Sequence, residues 1–435
     1  MNGLSILLPI HRDNTVANSR LSAGRFIPRL PGGKCFAFFP LLLLFLCLCA
    51  PIVRAADLSQ NIIPSDFPGH SIDDLRKLAD NIQRTGVSAD RIPALNKSDY
   101  LSISDASLSM DNNEIVFVVE YPGDLVRIYP RRILLWHEAV NDVLPDRDGN
   151  LPSASVPGVA EASGEGYTIT YSPLTGSVTA FRAMAGRYAT TFGVSGAMLN
   201  GNTVLYDRIS RSLWSQLMAV CLEGPLRGKR LQRIPVLWAR WGGVKERYGG
   251  LHSSFSGKAE VLSRSTGHRR SYGKDPYGSY DSPGNYYDDN RLPFPVSHLD
   301  SRLPPKTHVL GVEVGSAFGA VRRDAVKQMH VLNFNLGIIP MVAVYDAQID
   351  AIRIFDRRLE GQGPGQDQGL NFIMFEGNLV DEQTRSQWLP DGSCAYGRLK
   401  EQKLRPIVAV DAMWFAWATF YRDTAIFPEP DKSRF

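Results

Sequence analysis

The strongest constraint on this 435-residue chain is that it repeats itself at long range. Asp207, Arg211, Ser212 and Trp214 recur 174 residues later as Asp381, Arg385, Ser386 and Trp388. Gly224 and Leu231 recur as Gly397 and Leu404, and Trp238 and Trp241 as Trp414 and Trp417. Upstream, His137-Glu138-Ala139-Val140-Asn141 aligns with Met329-His330-Val331-Leu332-Asn333, and Phe181-Arg182 with Phe355-Asp356-Arg357. Ordered matches of this kind are the mark of one supersecondary unit used twice. The expectation is an α+β, strand-dominated fold: two tandem related modules packed together, joined by a long connector.

Local patterns fill in the modules. Ile115-Val116-Phe117-Val118-Val119 is a β-rich run, and Val126-Arg127-Ile128-Tyr129 reads as its hairpin partner across Pro122-Gly123-Asp124. A helix is predicted over Arg132 to Val140. Strands are predicted at Tyr167–Tyr171, Val178–Arg182, Ala189–Val194, Thr203–Tyr206 and Leu231–Val236, before a Trp-rich helical segment from Leu237 to Trp241. The second module repeats the order from Val309 to Trp417. The resulting division is a leader (1–55), a helical preamble (56–110), a first module (111–248), a connector (249–305) and a second module (306–435). The preamble's helix begins at Ser71-Ile72-Asp73-Asp74, with a capping serine and an acidic first turn. The connector is rich in Tyr, Gly, Asp, Ser and Pro, and its tyrosines suit burial of a ring with a wet hydroxyl. Residues 360–370, rich in Gly and Gln, read as a loop.

The leader carries the chain's basic excess. Arg12, Arg20, Arg25, Arg29, Lys34 and Arg54 face one acid, Asp13, which leaves 42 basic and 43 acidic residues elsewhere. The rest of the chain therefore has no electrostatic footprint for nucleic acid. An apolar run from Phe36 to Val53 follows the basic region, and Val53 and Ala55 suit signal cleavage before Ala56. A cleaved signal and an uncleaved N-terminal anchor both stay open, and both place the remainder outside the cytoplasm, periplasmic or secreted. Membrane contact is expected only through that N-terminal segment. Beyond the leader only Cys221 and Cys394 remain, enough for one disulfide at most and too few for a cysteine-based zinc site.

Tyr171-Ser172-Pro173-Leu174-Thr175-Gly176, Phe192-Gly193-Val194-Ser195-Gly196 and Tyr206-Asp207-Arg208 with Ser212-Leu213-Trp214-Ser215-Gln216 together resemble a bacterial family catalogued as domain of unknown function 3179. His137 to Asp142, Asp275 to Gly278, Phe294 to Ser297 and Trp414 to Trp417 extend the resemblance over residues 90 to 427. It implies no activity, since none is established for the family. Cysteines common around the family's Pro-Leu core are replaced here by Ser172 and Thr175, which removes a thiol or soft-metal role at that spot.

Candidate chemistry follows from where the modules differ. Polar residues kept in both, such as Asp207 with Arg211 and Ser212, suit a structural staple: an Asp–Arg pair, a serine cap and a core Trp. Those found only in the first module are the candidate ligand-binding set: His137, Asp142, Ser172, Thr175, Arg182, Tyr206 and Gln216. His137 and Asn141 are expected on one helix face, but the second histidine of a zinc-hydrolase helix is absent. Ser195 lacks the following helix of a nucleophile elbow and reads as part of a tight turn with Gly196. The tryptophan pairs, three apart on predicted helices, read as core. No catalytic residue or metal ligand is assigned, and no cofactor is identified. The expected function is binding of an unknown small molecule or protein in a groove on or beside the first module. The alternative is an enzyme or metal-assisted protein with a site around His137, Asp142 and Arg182.

Overall fold

Val116 and Val118 face one way from an extended chain and Phe117 and Val119 the other, so a strand built from them must be covered on both sides. In the computed structural model that strand is β1 (Ile115–Tyr121), and all four side chains are fully buried. The structure describes residues 71–430 except 97, 122–124, 144–165, 252 and 360–368. The leader, the Pro122-Gly123-Asp124 turn and most of the 360–370 loop lie outside the described residues.

β1 pairs with β2 (Leu125–Pro130), which leads into α1 (Arg131–His137). The predicted helix to Val140 is cut short at Glu138. That residue takes a left-handed φ of 55° and returns its N–H to Leu134 O. β3 (Ala139–Val143) starts immediately, so His137 and Asn141 lie on different elements and share no helix face. Next come β4 (Gly166–Ser172), β5 (Ser177–Arg182), β6 (Phe192–Leu199), β7 (Asn202–Asp207), β8 (Leu213–Ser215), β9 (Val220–Glu223), β10 (Arg233–Ile234), β11 (Leu237–Arg240) and α2 (Trp241–Gly249). The expected strand at Leu231–Val236 shrinks to two residues paired with β5, because Leu231 N–H goes to Ala219 O instead. The turn expected at Ser195-Gly196 is a bulge inside β6, where the register slips between Val194 and Ala197 and Gly196 sits at φ 78°. Trp238 lies on a strand rather than a helix, and Trp241 opens α2.

The C-terminal part runs β12 (His308–Val314), β13 (Ala317–Arg322), α3 (Arg323–Met329), β14 (Val331–Leu336), β15 (Ile339–Asp346), β16 (Ala351–Asp356), β17 (Phe372–Phe375), β18 (Asn378–Asp381), β19 (Gln387–Trp388), β20 (Cys394–Tyr396), β21 (Arg405–Ile407), β22 (Ala409–Met413) and α4 (Trp414–Phe420). α3 also ends on a positive-φ residue, His330 at 64°.

Three strand sets organise residues 115–240: β11-β1-β2, β3-β4-β5-β10 and β6-β7-β8-β9. Three organise residues 308–413: β22-β12-β13, β14-β15-β16-β21 and β17-β18-β19-β20. β22 and β5 meet at Asp411 and Val178, joining two of these sets into one mixed sheet. The fold is thus α+β and strand-dominated. Trp214, Trp241, Trp414 and Trp417 are fully buried, and α4 is buried along its whole length.

The segment between the two groups of strands is not a solvated linker. Tyr272 and Tyr287 are buried, and Phe294 packs against Phe415. Arg131 sits among the rings of Tyr171, Tyr280 and Tyr287 and pairs with Asp275 at 2.8 Å. Ser71 caps helix Ile72–Asp80 with a capping box. Cys221 and Cys394 are separate buried thiols.

Candidate functional site

Three of the seven candidate residues meet in one buried polar centre. Gln216, fully buried, accepts from Ser177 Oγ at 2.7 Å and from Asn202 Nδ2 at 2.8 Å, and donates to Thr170 Oγ1 at 3.1 Å. Thr175 Oγ1 shares a hydrogen bond with Ser177 Oγ and accepts from Asn202 at 3.0 Å. Ser172 Oγ accepts Thr203 N–H at 3.2 Å, and Thr203 Oγ1 donates to Glu138 Oε2 at 2.7 Å. Burial pushes the Glu138 carboxyl up to about 7, opposed by its bond from Thr203. The hairpin of β6 and β7 delivers Asn202 and Thr203 to this centre.

The other four candidates lie outside this centre. His137 is fully buried, with Nδ1 at 2.7 Å from Pro93 O and Nε2 at 2.6 Å from Tyr272 OH. Burial pushes its imidazole down to about 4. Asp142, at the end of β3, is half-buried and accepts from Tyr100, from Tyr129 at 2.7 Å and from Tyr167 at 3.0 Å. Tyr206 donates to Asp90, which also takes both Arg208 terminal nitrogens at 2.9 Å. Arg182 ends β5, and its N–H donates to Gln232 O. Asp142 and Arg182 lie in one row across the sheet, each paired with Tyr167, while the polar centre, His137 and Tyr206 occupy separate places, so the seven do not form one site.

The shared polar residues form staples of a different kind from the expected Asp–Arg pair. Asp207 accepts Ser210 N–H at 2.5 Å, Ser210 Oγ at 2.6 Å and Trp214 Nε1 at 2.9 Å. Arg211 adopts φ 61° and lays its guanidinium over Tyr206. Asp381 holds Thr384 and Trp388 in the same way, at 2.6 Å, 2.9 Å and 3.0 Å.

An open groove of about 1560 Å³ lies beside these elements. Val118, Val126 and Leu237 lie behind one side and Val344, Ile352 and Ile354 behind another, all nearly fully covered, while Met374 and Leu389 are exposed on it. Leu379, Trp388 and Leu389 close it from the set β17 to β20. Two ion pairs lie on it. Glu120 takes Arg353 bidentately at 2.6 and 2.9 Å and accepts from Tyr248, and Arg247 pairs with Asp346. Arg353 holds its carboxylate partner Glu120 down at about 2, against the opposing effect of burial. Arg353 Nε remains buried with no hydrogen-bond partner. Among the described residues no three His, Cys, Asp or Glu side chains cluster to hold a metal.

Sequence reasoning missed Glu138, Asn202 and Thr203, which complete the polar centre, and every charged residue of the groove. Asking which polar residues of 306–435 have no match in 111–248, as well as the reverse, would have found Asp346 and Arg353.

These features define a strand-rich α+β protein with a sealed polar centre and one broad open groove. The chain belongs to the family described as Protein of unknown function (DUF3179), whose profile matches residues 89–151 and 159–424. No curated protein and no solved structure matches the chain.

Proposed function

We propose that this is an extracytoplasmic, non-enzymatic binding protein whose ligand occupies the groove on which Met374 and Leu389 are exposed. The observation that carries the reading is a contrast. The polar side chains of the Gln216 centre are buried and bonded to one another, whereas the groove is open and exposes the apolar side chains of Met374 and Leu389. Ligand sites are concave and mostly apolar with a few convergent polar groups. Export is supported by the basic and apolar pattern of residues 1–55.

The groove belongs to a tandem duplication in this reading, with modules at 111–248 and 306–435. Support comes from the three strand sets with equivalent pairing and from the two Asp–Trp staples. Asn141 brackets the backbone of Phe192 at 2.8 and 2.9 Å, and Asn333 brackets that of Phe372 at 2.7 and 3.0 Å.

A thermal-denaturation screen of metabolites, oligosaccharides and peptides tests the function. A true ligand raises Tm. Leu389→Arg, at a half-exposed position on the groove, should abolish that rise without unfolding the protein. A rise that survives the substitution would remove the groove from the proposal.

An enzymatic reading has one supporting observation, the Glu138 carboxyl raised to about 7 beside two hydroxyls. On that reading the acid–base group is Glu138 rather than His137, Asp142 or Arg182, and Glu138→Gln would abolish turnover while sparing groove binding.

A further inference from the structure

The two repeats differ in one hairpin, and the difference falls on the groove. The hairpin of β6 and β7 runs from Phe192 opposite Asp207 to a turn at Asn200-Gly201. That of β17 and β18 runs from Phe372 opposite Asp381 to a turn at Glu376-Gly377. Both turns place two successive residues at positive φ, and both hairpins are held at the same ends, by Asn141 or Asn333 and by the Asp–Trp staple. The second is six residues shorter.

The extra residues of the first hairpin have a definite destination. Thr203 reaches Ser172 and Glu138, Asn202 reaches Gln216, and Leu199 and Val204 enter the core beside Trp414. Equivalent positions follow from the shared backbone bonds. Tyr171 N–H donates to Glu138 O as Tyr345 N–H donates to His330 O. Hence Ser172 corresponds to Asp346, Glu138 to His330 and Gln216 to Pro390. Asp346, His330 and Pro390 all line the groove. The space that polypeptide fills in the first repeat is open in the second.

We infer that the groove takes an extended polypeptide segment of a partner protein, with apolar side chains at alternate positions. This rests on the groove being the binding site and on the duplication. The chemistry agrees. Arg247 and Arg353 already hold carboxylates, so a charged ligand is not required. The apolar side chains that the groove leaves exposed, Met374 and Leu389, receive alternate residues of an extended guest, as in other strand-recognising grooves.

The test is selection of phage-displayed random linear 12-residue peptides on the purified full chain. Binding of a synthetic representative is then followed by fluorescence anisotropy. Enriched peptides should alternate apolar residues, and Leu389→Arg should weaken binding at least tenfold. A second variant with six residues inserted at the Glu376-Gly377 turn should also lose binding and gain thermal stability, because its own hairpin then fills the groove. Failure to enrich any peptide, or peptide binding indifferent to both variants, overturns the inference. An oligosaccharide or metabolite whose stabilisation is lost in Leu389→Arg, with no peptide bound, would overturn the inference yet leave the groove reading standing.

Discussion

The Asp207 carboxylate accepts the indole N–H of Trp214 at 2.9 Å, and both side chains are wholly buried. The same oxygen takes the Ser210 hydroxyl, so one acid closes the turn and orients the largest core ring. Asp381 does this for Trp388 and Thr384.

Removing either acid strands buried donors. Asp207→Ala and Asp381→Ala should each cost about 2–4 kcal/mol in urea-unfolding measurements. Comparable losses in the two variants are expected. A loss confined to one would show that the staples do different jobs.

Glu138 makes stability depend on pH. Its folded carboxyl titrates near 7 against an ordinary value of 4.5, so the folded state holds its proton more tightly. That contribution is fully present below 4.5 and is lost as pH rises through 7, a difference on the order of 3 kcal/mol. Glu138→Gln should therefore gain stability over wild type as pH rises from 4.5 to 8. Equal pH profiles for the two proteins in chemical denaturation would contradict this.

His137 acts in the opposite sense. Its folded imidazole titrates near 4, below the ordinary 6.5, because burial disfavours the charge. Its contribution is complete above 6.5 and disappears as pH falls towards 4. NMR titration of the ring should show no protonation at pH 5.5, and a midpoint near 6.5 would refute the burial argument.

The two buried thiols should be inert. Burial raises the Cys221 thiol far above its ordinary range and raises that of Cys394 as well. Maleimide labelling followed by peptide mapping should leave both unmodified in the native protein and modify both in guanidinium. Rapid native labelling of Cys221 would contradict its placement.

Much of the strand order was legible because β-branched runs and paired tryptophans fix burial whatever surrounds them. The position of α1's end was not. Glu138 carries no glycine-like signal for a left-handed turn, so the helix read three residues too long and drew His137 and Asn141 onto one face. Ser172, Thr175 and Gln216 were found by asking which polar residues of 111–248 have no match in 306–435. Their partner Asn202 escaped because it sits beside the turn of the β6–β7 hairpin, where the comparison of the two stretches found no match. The groove escaped because its walls come from β1, β11, β15 and β16, residues far apart in the chain that only tertiary structure brings together.

Hydrogen-exchange mass spectrometry of the full chain, with and without the best stabilising compound or peptide from the screens, bears most directly on where ligand binds. Protection should concentrate in residues 344–354 and 378–390, on the walls of the groove. Protection centred on residues 138, 172 and 203, with residues 344–354 and 378–390 unchanged, would contradict it.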